Sequence, residues 1–177
     1  HVMPSRTLPK GTYRTLSGSQ GIAMGLAAVA HQSQRELVFA GYPITPASDI
    51  LHELVRQRPK GITTFQAEDE IASVTAAIGA SFAGKMGVTA SSGPGISLKA
   101  EGLGLAVMLE LPLIVINVQR GGPSTGMPTK MEQSDLMQAL HGRHGEAPMP
   151  VIAIKSASHA FDVMLMAAKY AMEAMTP

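Results

Sequence analysis

Cysteine is missing from all 177 positions of this sequence. A thiolate nucleophile, a disulfide framework and cysteine-ligated iron–sulfur clusters are thereby excluded from the chain, because each needs the thiol sulfur. Tryptophan is missing too, and four phenylalanines and three tyrosines stand against twelve methionines and eighteen glycines. The expected core is therefore aliphatic and methionine-filled, with glycine at tight turns or close backbone approaches. Neither sign of charge dominates. The formal net charge is +1, and no cluster of Lys and Arg follows the first sixteen residues. Binding to a phosphate backbone rests on such clusters, so no nucleic-acid partner is expected. No stretch reaches the ~20 consecutive apolar residues of a membrane span, so no membrane association is expected either. No secretory signal pattern opens the sequence, and a cytoplasmic location is the expectation. Metal ligands are also wanting. His141 and His144 lie three apart in HGRHGE, which suits a surface loop, and no further ligand falls at a metal-binding spacing.

What is present fits one domain. A chain with 45% hydrophobic residues can bury a core large enough to dispense with metal or disulfide staples. Residues 1–16, HVMPSRTLPKGTYRTL, carry two prolines and three basic side chains without one acid. They read as a linker whose opening His-Val-Met is an expression scar. Residues 17–177 read as the domain proper. Its end at Thr176-Pro177, directly after a helical pattern, suggests a domain excised from a longer subunit.

Along residues 17–177 helical and extended patterns alternate. Helices are expected over 17–34, from Ser48 to a stop at Pro59-Lys60-Gly61, and over 70–83, 97–110, 131–140 and 158–175. The short apolar run at 36–40, ending at Gly41, reads as a strand, as do 62–66, 86–90, 113–118 and 151–155. The run LIVINV at 113–118 is apolar but for Asn117, as a central strand covered on both faces requires. The expected fold class is α/β, a doubly wound parallel sheet with helices on both faces. Ligands of such sheets lie beyond the carboxyl ends of the strands, so the residues after each strand carry the functional question.

After the first strand, Pro43 and Pro46 bracket Thr45 in GYPITPAS and hold the backbone extended there. A hydroxyl on so stiff a loop suits a ligand oxygen, although a helix N-terminus capped by Ser48 accounts for the same residues. After the second comes QAEDE, with Glu68, Asp69 and Glu70 at a helix start. The helix dipole explains Asp69 and Glu70; Glu68, closest to the strand end, is the one expected to turn inward. After the third, Ser91-Ser92-Gly93-Pro94-Gly95 is either an anion cradle or a tight turn, and it lacks the Lys-Ser/Thr of a P-loop. After the fourth comes QRGGPSTGMPTK, residues 119–130. Arg120 leaves an apolar strand and must pair or meet an anionic ligand, because a lone buried charge is costly. Its planar fork suits a carboxylate.

Taken together, YPITPASD (42–49), QAEDE (66–70), TASSGPG (89–95) and QRGGPSTGMPTK (119–130) closely resemble the alpha subunit of 2-oxoacid:ferredoxin oxidoreductases, and most of all the 2-oxoglutarate type. The motifs run from about Ser17 to the end in the family's order and spacing, and the segment before Ser17 resembles the join to a preceding gamma-type domain. The resemblance implies a domain that binds the pyrimidine end of thiamine diphosphate. It implies a beta subunit carrying the pyrophosphate domain, with magnesium and iron–sulfur clusters on other subunits or domains. Glu68 matches the carboxylate that hydrogen-bonds N1′ of the pyrimidine and so promotes loss of the C2 proton, a general acid–base role. Ser92 and Gly93 match further cofactor-binding positions. Arg120 matches the partner of the substrate carboxylate, Thr45 a hydroxyl at its 2-oxoacid end, and Thr125 a further substrate contact. The reaction implied is oxidative decarboxylation of a 2-oxoacid with coenzyme A to an acyl-CoA, with ferredoxin as electron acceptor. The fragment alone is expected to be inactive. The rival readings are the pyrimidine domain of a transketolase- or decarboxylase-like enzyme, and a non-catalytic α/β assembly module. YPITP and GGPSTG argue against the first, and intact Glu68 and Arg120 against the second.

Overall fold

The protein is described here by a computed structural model covering residues 7–177. The linker residues 7–16 carry no helix or strand, and the His-Val-Met scar lies outside the described residues. Ser17 opens the first helix, α1 (Gly18–Ser33), through a reciprocal cap: its hydroxyl accepts from the Gln20 N–H, while the Gln20 side chain accepts from the Ser17 N–H. Then follow β1 (Leu37–Gly41), α2 (Ser48–Gln57), β2 (Ile62–Gln66), α3 (Glu70–Phe82), β3 (Met86–Ser91), α4 (Gly93–Met108) and β4 (Leu113–Asn117). The short α5 (Leu136–His141) and the long α6 (Ala157–Ala174) close the chain.

The four strands pair in parallel in the order β2-β1-β3-β4. Successive side chains of a strand point to opposite faces, and two cores result. Phe39, Met86, Val88, Ile114 and Ile116 pack with α1, α2 and α6 on one face. Ala40 and Leu113 pack with Val74, Ala77 and Ile78 of α3 and Leu103 and Ala106 of α4 on the other. Helices thus cover both faces, as a doubly wound sheet requires. The second face of β3 is unlike the rest. Gly87, Thr89 and Ser91 point there. Gly87 lets the Ala77 carbonyl of α3 approach so closely that a Cβ would overlap it. Thr89 and Ser91 make side-chain hydrogen bonds to Lys99 and Tyr42.

Several boundaries differ from the sequence expectation. Ser48 is the first residue of α2 rather than its cap, which is Ala47. Its hydroxyl instead folds back, donating to the Ile44 carbonyl and accepting from the Ile44 N–H. α4 begins at Gly93, four residues before Ser97, because Pro94 in its first turn needs no N–H partner. α5 begins at Leu136 rather than Met131. Residues 151–155 form no strand among the described residues. Pro148 and Pro150 bring no N–H to that segment's entry, and a cavity of about 300 Å³ is lined both by β4 and by Met149–Ile154. As a consequence β4 is an edge strand of the described sheet, not a central one.

Candidate functional site

The strand order sets where a ligand can lie. From β1 the chain moves outward to β2, then crosses back to β3 on the other side of β1. The carboxyl ends of β1 and β3 therefore flank the topological switch point, where the connecting loops diverge and leave a crevice. Tyr42 follows β1 and Ser91 ends β3, and their hydroxyls lie 2.7 Å apart across that point. The first turn of α4 sits directly against the pair. A Cβ on Gly95 would overlap both Ser91 Oγ and Tyr42 Oη, so only glycine permits this approach. Burial raises the Tyr42 phenol well above its usual range, and the neighbouring Glu70 carboxylate adds to that.

The three acids of QAEDE have three different fates. Asp69 caps α3, its Oδ1 accepting from the Ala72 N–H at 2.8 Å. Glu70 is half-buried; it faces Tyr42 and Lys99, which the helix dipole alone does not explain. Glu68 is exposed at the rim of the crevice, contrary to the expectation that it turns inward. The Ala67 N–H to Gly41 carbonyl bond at 2.7 Å extends the β1–β2 pairing one residue beyond the strand. The loop is thus held taut up to the residue before Glu68.

Lys99 of α4 is fully buried, and sequence reasoning missed it. Its ammonium donates to the Glu70 carbonyl at 2.9 Å, to the Thr89 hydroxyl at 3.1 Å and to the Ser73 hydroxyl. It also lies 5.0 Å from the Tyr42 ring centroid, within cation–π range. Burial pushes it down to about 8, while the carboxylates of Glu70 and Asp69 pull the other way. One signal was available. The run MGVTAS at 86–91 alternates small or hydroxylic residues with apolar ones, which marks a polar seam on one face of the strand.

Ser92 stands at the N-cap of α4, yet its hydroxyl makes no cap hydrogen bond. The Oγ is buried without a partner among the described residues. An orphaned hydroxyl at the switch point, beside the helical N–H groups that begin at Gly93, is what a polar ligand there would satisfy. Across the crevice, Arg120 brings together the three residues expected at the substrate. Its Nη1 donates to the Thr45 carbonyl at 2.6 Å and its Nη2 to the Thr125 carbonyl at 2.7 Å. The fork therefore clamps two loops rather than standing free. Its Nε is buried without a partner among the described residues, and the side chains of Thr45 and Thr125 are exposed. The loop between them is itself bonded, Gly121 to Met127 and to Lys130, and Gly122 to Glu132. Asp135 ties it to the end of β4 by accepting from Asn117 and Gln119. Among the described residues no group of three or more His, Asp or Glu side chains is arranged to hold a metal ion. No helix there is long and apolar enough to cross a membrane.

Several known proteins are similar to this chain. The subunit KorA of Mycobacterium tuberculosis 2-oxoglutarate oxidoreductase is 54% identical over 177 residues, covering all of this chain and 27% of that protein. The 2-oxoglutarate synthase subunit KorA of Archaeoglobus fulgidus is 49% identical over 140 residues, 78% of this chain and 40% of its own length. A solved structure of 2-oxoglutarate:ferredoxin oxidoreductase from Magnetococcus marinus, with 2-oxoglutarate, coenzyme A and succinyl-CoA bound, superposes with a TM-score of 0.83. It is 41% identical and covers 92% of this chain and 28% of its own. The chain thus spans between a quarter and two fifths of the length of these relatives. Residues 29–177 match the family described as pyruvate flavodoxin/ferredoxin oxidoreductase, thiamine diphosphate-binding. With that match covering most of the chain, and the strand-end motifs gathered at the switch point of the sheet, this chain belongs to that family of thiamine diphosphate-binding oxidoreductase domains.

Proposed function

We propose that this chain is the pyrimidine-binding domain of a 2-oxoacid:ferredoxin oxidoreductase acting on 2-oxoglutarate. The observation that carries the reading is the convergence of all four strand-end motifs at one switch point, around the orphaned Ser92 hydroxyl and the Arg120 clamp. Thiamine diphosphate, when bound, supplies the electron sink that decarboxylation of a 2-oxoacid needs. This chain's residues do the rest on their side of the site. Glu68 holds and moves a proton at N1′ of the pyrimidine, the acid–base function that makes the C2 proton labile. Its exposure in the single domain suits a site completed by another domain. Glu70, half-buried beside Tyr42 and Lys99 at the switch point, is the rival carboxylate two residues on. Ser92 and the Gly93 N–H offer hydrogen bonds to the ring. Arg120 fixes Thr45 and Thr125 at the mouth of the crevice, and its positive charge there attracts the carboxylate of the 2-oxoacid. Coenzyme A, ferredoxin, magnesium, iron–sulfur clusters and a beta subunit with the pyrophosphate domain belong to the remainder of the complex. The names of the relatives, and the ligands of the Magnetococcus marinus enzyme, support 2-oxoglutarate as substrate.

The test compares two neighbouring carboxylates in the assembled oxidoreductase. Glu68→Gln is expected to slow C2–H exchange of bound thiamine diphosphate and turnover by ~10²–10⁴-fold at unchanged cofactor content. Glu70→Gln is expected to lower stability and leave exchange nearer the wild-type rate. An unaltered exchange rate in Glu68→Gln would remove that residue from the mechanism.

A further inference from the structure

Asp135 stands at the N-cap of α5, and its side chain makes no cap hydrogen bond. An aspartate there ordinarily turns its carboxylate back onto the first N–H groups of its own helix. Here the carboxylate faces the end of β4 instead. Its Oδ2 accepts from the Asn117 amide at 2.7 Å and its Oδ1 from the Gln119 amide. Those two side chains flank Val118. Asn117 is the last residue of β4, and the Val118 N–H to Ser91 carbonyl bond at 2.8 Å carries the pairing with β3 one residue further. Gln119 and Arg120 lie beyond that bond, so the Asp135 tie takes over where the sheet stops. It closes the base of the loop that holds both Arg120 and Thr125. On the far side of Arg120, the Glu132 carboxylate accepts from the Gly122 N–H at 3.1 Å. The Asp135 Oδ2 also touches the first turn of α4, 3.5 Å from where a Cβ on Gly93 would sit. That helix end favours a negative charge. The tie has a cost. With its donor turned to Asp135, the Asn117 amide leaves its Oδ1 buried and unpartnered among the described residues. The bond to a charged acceptor offsets that cost.

We propose that Asp135 is a positioning residue for Arg120: its carboxylate holds Asn117 and Gln119 together at the end of β4, and so fixes the point from which the guanidinium reaches Thr45 and Thr125. The inference rests on the reading of Arg120 as the residue that meets the 2-oxoacid carboxylate. Without the tie the sheet still ends at Val118, but Gln119 is released and Arg120 starts from a backbone that wanders. The clamp on the Thr45 and Thr125 carbonyls then forms only part of the time. The loss falls on the 2-oxoacid rather than on the cofactor chemistry. Glu68 and Glu70 follow β2, which β1 and β3 separate from β4, so the inference holds whichever of the two serves the pyrimidine.

Steady-state kinetics and C2–H exchange of bound thiamine diphosphate, both on the assembled oxidoreductase, test the proposal. Asp135→Ala is expected to raise KM for the 2-oxoacid by ~10-fold, toward the value of Arg120→Ala, as one charge-assisted contact is lost through the wandering of Arg120. KM for coenzyme A, kcat and the C2–H exchange rate are expected to stay within about twofold of wild type. Hydrogen exchange on the same variant is expected to show lost protection at the Gly121 and Gly122 amides, with α1 and α6 unchanged. An unchanged KM for the 2-oxoacid overturns the proposal. So does an equal rise in both KM values, or a fall in C2–H exchange, since either would mean a general loosening of the domain. If Asp135→Ala does not assemble, Gln119→Leu removes the tie nearest Arg120 and decides in its place by the same readouts. Arg120→Ala separates the two levels. If it leaves KM for the 2-oxoacid intact, the assignment of Arg120 fails; if it raises that KM while Asp135→Ala does not, only the role of Asp135 fails.

Discussion

Arg120 illustrates how a residue's role changes once its partners are known. A guanidinium leaving an apolar strand needs acceptors, and the sequence points to an anionic ligand. The fold supplies two backbone carbonyls instead, one of them 75 residues away at Thr45. The clamp occupies both terminal nitrogens of the fork and leaves the Nε buried and unpaired among the described residues. Removing the side chain loses a charged hydrogen bond worth roughly 1.5–3 kcal/mol and frees both loops. Arg120→Ala in the assembled enzyme is therefore expected to raise KM for the 2-oxoacid ~10- to 150-fold. KM for coenzyme A is expected to change far less. Steady-state kinetics with each substrate varied in turn decide it, and equal effects on both would mark Arg120 as a scaffold residue only.

At the scale of the element, α4 carries the clearest contrast. Its N-terminal turn lies against the Ser91–Tyr42 pair, and its middle packs on α3. Three of its glycines have different surroundings. Gly95 has no room for a methyl group, whereas a Cβ on Gly104 meets nothing within 4 Å, and one on Gly102 would press on Val74. Overpacking typically costs ~1–3 kcal/mol, while replacing an unhindered helical glycine by alanine gains roughly 0.5–1 kcal/mol. Gly95→Ala is expected to destabilise the domain and Gly104→Ala to stabilise it, measured as opposite shifts of the urea unfolding midpoint. Shifts of the same sign in both would contradict the packing described for the first turn of α4. The same turn explains why the sequence misplaces the start of α4. SSGPG has the composition of a loop, but Pro94 and the surrounding glycines are accommodated within the first helical turn.

For the molecule as a whole, the site is one-sided. Glu68 stands exposed, Ser92 is unsatisfied, and no described cluster of acids and histidines is arranged for the cation that accompanies a diphosphate. The chain offers the pyrimidine a carboxylate and a few polar contacts. Association by itself costs an estimated ~4–15 kcal/mol in lost freedom, which such contacts do not offset. Calorimetry on the 177-residue chain with thiamine diphosphate and magnesium is expected to detect negligible binding. Micromolar affinity for the chain alone would mean that the diphosphate site is also here and that the two-domain reading is wrong.

The sequence by itself determined the order of nearly every element, the doubly wound class, and the four loops that gather at one end of the sheet. Periodicity reports which residues share a face of one helix or strand, and strand-end loops must share an edge of a parallel sheet. It did not determine what lies beside an element. β4 reads as central because an apolar run records covered faces and says nothing about hydrogen-bonded neighbours; among the described residues it lies at the edge. Nor did it distinguish three adjacent acids that share one helix dipole: Glu68 meets solvent, Asp69 caps a helix and Glu70 faces a phenol. Lys99 was least legible of all. Its acceptors lie 10, 26 and 29 residues away on two other elements, β3 and α3. Whether a charge can be buried depends on partners that only tertiary folding assembles around it.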